Sequence, residues 1–145
     1  MSAPTAGHEE RRAALDAIAI LSGFTAPGTG GFPDGCRPDV LRLAVEGRCL
    51  FIGDAKATET PGNSETLLRL HAYSRWAAGA CAGGGAVVVM LCTPTVASAY
   101  GWRQTLREAA QMAGMREVEV EVADLGDWGI TWWTYGLVDV RLPAA

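Results

Sequence analysis

Two aspartates and the only lysine of the chain carry its strongest chemical signal. Residues 38–45 and 48–55 each read as a strand, and Glu46-Gly47 between them suits a two-residue hairpin turn. That turn sets Asp39 directly opposite Asp54, with Cβ atoms about 5 Å apart on one face. Leu41, Leu43, Leu50 and Ile52 run along the same face, so both acids stand at the open end of a core-facing surface. Lys56, two residues past Asp54, falls on the same side if the strand continues that far. Facing carboxylates at a core edge repel each other, and one of the pair has its pKa raised. A divalent cation removes the conflict, and hard oxygen donors at this spacing suit Mg²⁺ or Mn²⁺. The Lys56 ammonium is then placed to orient a metal-bound water or to stabilise charge developing on a phosphate. The same three residues also read as a solvated acid pair with a lysine counter-ion.

The elements that must position these groups follow from periodicity and punctuation. Residues 1–7 read as a short flexible arm. A helix is expected over 8–22, with Ala14, Leu15, Ile18 and Leu21 on one face. The Gly- and Pro-rich stretch 24–37 reads as a loop, and 57–63 as a second, polar one. Asn63 or Ser64 caps a helix running to about Ala82. The apolar run 86–92 predicts a strand buried on both faces, making a βαβ unit with strand 48–55. A helix near 101–113, a strand at 117–123 with Glu117, Glu119 and Glu121 on its wet face, and a strand-like C-terminal extension over 128–145 complete the chain. The expectation is one α/β domain spanning residues 1–145, built on a mixed sheet flanked by helices.

Composition narrows the classes. The chain has 145 residues, a net charge of −4, and is 49% hydrophobic and 19% charged, which suits a packed core and argues against disorder. No apolar run is long enough to span a bilayer and no signal-peptide pattern opens the chain, so a soluble cytoplasmic protein with no membrane partner is expected. Of the 12 basic residues all but Lys56 are arginines, the pattern of a GC-rich coding sequence, so codon bias alone explains the lysine's rarity. The four cysteines show neither zinc nor disulfide spacing and read as free thiols. Gly28 to Gly35 and Gly83 to Gly85 lack the context of phosphate-binding loops; the first reads as a mobile loop beside the site and the second as a helix stop.

At Pro38-Asp39, fourteen intervening residues and Asp54-Ala55-Lys56, the chain resembles the PD-(D/E)XK, or restriction-endonuclease-like, nuclease superfamily. That family places its first Asp at a strand start and its acid-x-Lys on the next, antiparallel strand. An earlier Pro33-Asp34 is followed by Gly35-Cys36, a turn rather than a strand, so Asp39 is the better match. The resemblance covers about residues 8–124. It implies Asp39, Asp54 and the Ala55 carbonyl as metal ligands, Lys56 as the residue that positions the attacking water, and Mg²⁺ or Mn²⁺ as cofactor. The family often adds a Glu from the first helix. Glu10 lies nearer that helix's apolar face than Glu9 and is the expected catalytic and metal-ligating acid. Where many members carry Gln-x-x-x-Tyr this chain reads Arg69-Leu-His-Ala-Tyr73, and with Trp76 these residues line one helical face, suited to phosphate contact or to an ordinary amphipathic border. The usual first strand of the family falls in the stretch read here as loop.

The resemblance implies a Mg²⁺-dependent nuclease hydrolysing DNA, an endonuclease of repair, recombination, defence or a mobile element, with RNA as a second possible substrate. Arg69, Tyr73 and Arg75, with Arg11 and Arg12 on the first helix, are the expected nucleic-acid contacts. The alternative is a non-catalytic nuclease-like subunit that binds or assembles within a larger nucleic-acid-processing complex. The aromatic segment Trp128, Trp132, Trp133 and Tyr135 reads as core and edge packing, or as the surface for a homodimer or protein partner.

Overall fold

The computed structural model describes residues 7–28, 37–44, 49–57, 64–82 and 84–143. Their order is α1 (His8–Leu21), β1 (Ala26–Pro27), β2 (Val40–Leu43), β3 (Cys49–Ala55), α2 (Ser64–Ala82), β4 (Ala86–Thr93), α3 (Val96–Met112), β5 (Glu121–Leu125) and β6 (Trp128–Tyr135). The strands form one mixed sheet in the order β1-β2-β3-β4-β6-β5, with helices on both faces. Only β3 and β4 are parallel, joined by the α2 crossover; every other neighbouring pair is antiparallel. No helix among the described residues is long and apolar enough to cross a membrane.

The β2–β3 register is the one expected from sequence: Val40 pairs with Gly53, Leu41 with Ile52 and Leu43 with Leu50. The turn at 46 and 47 that implied this register lies outside the described residues, as do the arm 1–6, most of the Gly-rich loop, the polar loop at 58–63 and Gly83. Leu50 and Ile52 face one core, with α2 and α3, Trp102 and Trp133. Phe51 and Ala55 face the other, beneath Leu15 and Ile18 of α1. All eight residues of β4 are buried, as a strand covered on both faces requires.

Two glycines set how closely the helices approach. A Cβ at Gly53 would lie 3.3 Å from Val40 Cβ and 3.6 Å from Leu15 Cβ, so its bare backbone lets α1 settle over β3. A Cβ at Gly129 would meet Thr95 O and Val96 Cα, both at 2.5 Å, where the start of α3 presses on β6.

Three expectations need correction. Stretch 24–37 is not all loop, because Ala26 and Pro27 pair with Leu43 and Arg42 as a two-residue strand. A Pro in a short edge strand left no periodic signal to read. Helix α3 begins at Val96 rather than near 101. Thr95 and Ser98 form a reciprocal capping box there, with Ser98 N–H donating to Thr95 Oγ1 at 3.0 Å and Thr95 N–H to Ser98 Oγ at 3.1 Å. The last two strands pair through a tight turn at Gly126 and Asp127, which shifts β5 to 121–125 and ends β6 at Tyr135. The extension beyond is not strand, although Val138 and Val140 still pack on the α1-side core.

Gly129→Ala should cost about 1–3 kcal/mol, because the new methyl meets backbone on a neighbouring element. A urea-unfolding midpoint equal to that of the wild type would show that α3 can shift at no cost.

Candidate active site

The β2–β3 ladder does not stop at its last strand residue; two side chains carry it further. Asp39, one residue before β2, donates its backbone N–H to Asp54 Oδ1 at 3.3 Å. In return the Ala55 N–H donates to Asp39 Oδ2 at 2.9 Å. Each aspartate thus accepts from the backbone of the opposite strand, and the pair is fixed in place by the hairpin itself. Lys56 extends β3 by one more step, its N–H donating to Cys92 O of β4 at 2.8 Å. Its ammonium Nζ lies 2.5 Å from Asp54 Oδ2 and 5.3 Å from the centre of the Trp102 ring on α3. Asp54 is 4% and Lys56 8% exposed, so this is a buried ion pair under an aromatic roof, while Asp39 stands at the rim.

Burial and crowding separate the two carboxyls. Burial, assisted by the neighbouring Asp39, pushes Asp54 up to about 6 against the pull of the Lys56 charge. Burial also acts to raise Asp39. The hydrogen bonds with Asp54 and from the Ala55 N–H, and the charges of His8 and Lys56, outweigh it and hold Asp39 below the usual carboxylate value. As pH falls, Asp54 is therefore the first of the pair to take up a proton, near pH 6.

The donor types that a hard divalent cation takes are present in Asp39 at the rim and Asp54 beneath it, two negative charges side by side once both are ionised. Among the described residues no three His, Cys, Asp or Glu side chains converge into a ready cage. Asp39 keeps a partly exposed carboxylate at the surface, while Asp54 is buried with both oxygens engaged.

Helix α1 reaches the site differently from the sequence expectation. Glu10 is exposed, and Glu9 is exposed beside Arg12. The residue at the acids is His8, with Nε2 3.4 Å from Asp39 Oδ2. One turn on, Arg12 Nε donates to Asp39 O at 3.1 Å, and one turn further Asp16 pairs with the Arg42 guanidinium of β2. The signal for His8 was this polar stripe at i, i+4 and i+8, which lies along β2; the apolar face used to choose Glu10 points at β3 and β4 instead.

Of the expected nucleic-acid contacts, Arg12 and Arg75 are exposed and Arg69 is half-buried. Arg11 and Tyr73 are not surface groups. Arg11 is 5% exposed and lies within electrostatic reach of Cys92, whose thiol burial pushes up to about 12. Tyr73 is fully buried with Leu70 and Ala77, so the Arg69-Tyr73 face is a core border. A cleft of about 450 Å³ runs beside Asp39 between Arg12 and Arg37. A larger groove of about 850 Å³ lies toward the other end of the sheet, bordered by Glu117, Glu119 and Glu121. In the C-terminal segment Trp133 is fully buried, Trp128 and Trp132 pack partly against the α1-side core, and Tyr135 is exposed. Cys49 and Cys92 are free thiols.

Comparison with protein-family models, curated proteins and solved structures finds no match for this chain.

Because the folded state raises the Asp54 pKa from 3.8 to about 6, between those values the native protein holds a proton there that the unfolded chain has released. The stabilisation from this group is complete below the unfolded pKa and lost as pH rises through about 6. The Asp54 carboxyl ¹³C resonance in EDTA should titrate near 6, and saturating Mg²⁺ should move its midpoint down. A midpoint near 4, unmoved by Mg²⁺, would refute this electrostatic account.

Proposed function

We propose that this chain is a Mg²⁺-dependent nuclease that hydrolyses DNA phosphodiester bonds, on a restriction-endonuclease-like fold. The observation that carries the reading is the reciprocal Asp39–Asp54 clamp with the Lys56 ammonium 2.5 Å from Asp54. The element order, from an opening helix through a short first strand, the Asp strand and the acid-x-Lys strand to a crossover helix and a parallel strand, agrees with the family pattern.

Asp39, Asp54 and the Ala55 carbonyl are the donors for the cation, which supplies Lewis-acid stabilisation and a lowered water pKa when bound. Lys56 then turns from neutralising Asp54 to orienting the attacking water and offsetting charge on the phosphate. Trp102 keeps that ammonium desolvated and pointed at the carboxylates. Arg12 and Arg37 border the cleft beside Asp39 and suit the flanking phosphates, with Arg69 and Arg75 farther along. The acidic row on the other side of the chain repels DNA and leaves approach to this end.

A second reading has a specific observation behind it. With Arg11 and Tyr73 buried, the chain's own grip on nucleic acid is thin. This favours a nuclease-fold subunit whose partner supplies the DNA contact, catalytic or not. Cytoplasmic action in repair, recombination, defence or on a mobile element suits either reading.

The test is cleavage of linear, supercoiled and branched DNA, with RNA alongside, in Mg²⁺, Mn²⁺ or EDTA. Lys56→Met and Asp54→Asn should each lower cutting by about 10²–10³-fold, and EDTA should abolish it. Equal cutting by wild type and Asp54→Asn would sink the catalytic assignment; no cutting, with intact DNA binding, would favour the assembly subunit.

A further inference from the structure

We infer that the groove of about 850 Å³ at the β5–β6 edge of the sheet docks an extended, arginine- or lysine-bearing segment of a partner protein, which adds to β6 as a strand. The inference is independent of whether the chain cuts DNA. It starts from a mismatch in strand length. On one side β4 follows β6 to its end, Val88 pairing with Thr134 and Val87 with Tyr135; on the other, β5 pairs with it only from Trp128 to Trp132. The two-residue turn at Gly126 and Asp127 makes Leu125 and Trp128 a hydrogen-bonded pair. Alternation then turns the backbone N–H and C=O of Ile130, Trp132 and Thr134 toward the β5 side. Trp132 meets Glu121 there, whereas Thr134 has no β5 residue opposite it. The segment that would have continued the ladder is drawn away: Val120 O accepts from Arg103 Nε of α3 at 2.9 Å, and Val118 and Val120 pack into the α2–α3 core.

The groove's chemistry selects the occupant. Glu117, Glu119 and Glu121, all exposed, line it together with Trp132 and Tyr135. Arg116 is the one cation among its described lining residues, so negative charge prevails. Arg103 and Arg107 border an adjoining cleft shared with Glu119 and Glu121. A cationic strand sets its charged heads on the carboxylates and its stems against the two rings. Its main chain takes up the Thr134 N–H and C=O, the mode of recognition in which an open sheet edge supplies affinity and alternate side chains supply specificity. Charge disfavours the other occupants: a second copy would set its own glutamates against these, and nucleic acid is repelled.

The test uses the ¹⁵N-labelled full chain and synthetic peptides: acetyl-Arg-Val-Arg-Val-Arg-amide, its counterpart with Glu in place of Arg, and the arginine peptide with every backbone nitrogen methylated. The arginine peptide should slow hydrogen exchange at the Thr134 N–H by at least about tenfold. Backbone methylation, and the double variant Glu119→Gln/Glu121→Gln, should each weaken its binding by about tenfold. The glutamate peptide should not bind. Equal binding of the arginine and glutamate peptides would overturn the charge assignment and with it the occupant. Arginine-peptide binding that leaves Thr134 exchange unchanged would overturn strand addition, and no binding of that peptide would overturn the inference as a whole. So would protection of the same N–H in the chain alone, rising with protein concentration, which would put a second copy in the groove, or protection by duplex DNA. The exchange result is read on the wild type, so it does not depend on how the double variant folds.

Discussion

The constraint on which this molecule turns is the placement of two like charges on neighbouring strands at the rim of a core. Left to themselves, carboxylates at Asp39 and Asp54 would push the hairpin apart. The chain compensates locally: each acid accepts a backbone N–H from the opposite strand, and a buried ammonium faces one of them. A buried ion pair of this kind is weak as a source of stability, because desolvation offsets most of its Coulomb gain. Removing either partner alone would leave an uncompensated buried charge, so the two residues stand or fall together.

The rest of the architecture serves that rim. The parallel β3–β4 pair carries the acid-x-Lys segment to the sheet's end, and α3 brings Trp102 over the lysine from the same side. Gly129 allows the start of α3 to press on β6. On the opposite face, Gly53 lets α1 lie close, and the polar stripe His8, Arg12 and Asp16 ties that helix to β2. The site is thus approached by helices from both layers, one bringing an imidazole to the acids and the other an indole to the ammonium.

Sequence legibility divides along physical lines. The βαβ unit, the β2–β3 register and the shared face of Asp39, Asp54 and Lys56 could be read because alternation has a period of two and allows no intermediate answer. The buried run 86–92 was equally plain. What could not be read was two-dimensional on a helix. On α1 an apolar face indicates which side is buried, not which polar stripe meets a neighbouring strand, so it favours Glu10 over Glu9 and does not point to His8. On α2 Tyr73 looked like a surface partner of Arg69, yet it lies one position from Ser74 and three from Leu70, within the stripe that meets the sheet. Arg11 sits among charged neighbours in sequence, and nothing local signals that its stem and head are buried.

The strand register has one further consequence. A slip of one residue between β2 and β3 would send Asp54 and Lys56 to the α1 side of the sheet and bring Phe51 to the other. The charges of Asp54 and Lys56 would then meet the apolar α1-side core and the acids would no longer face each other, so the buried faces hold the register fixed. The register of this one strand pair therefore decides whether Asp39, Asp54 and Lys56 share a face at all.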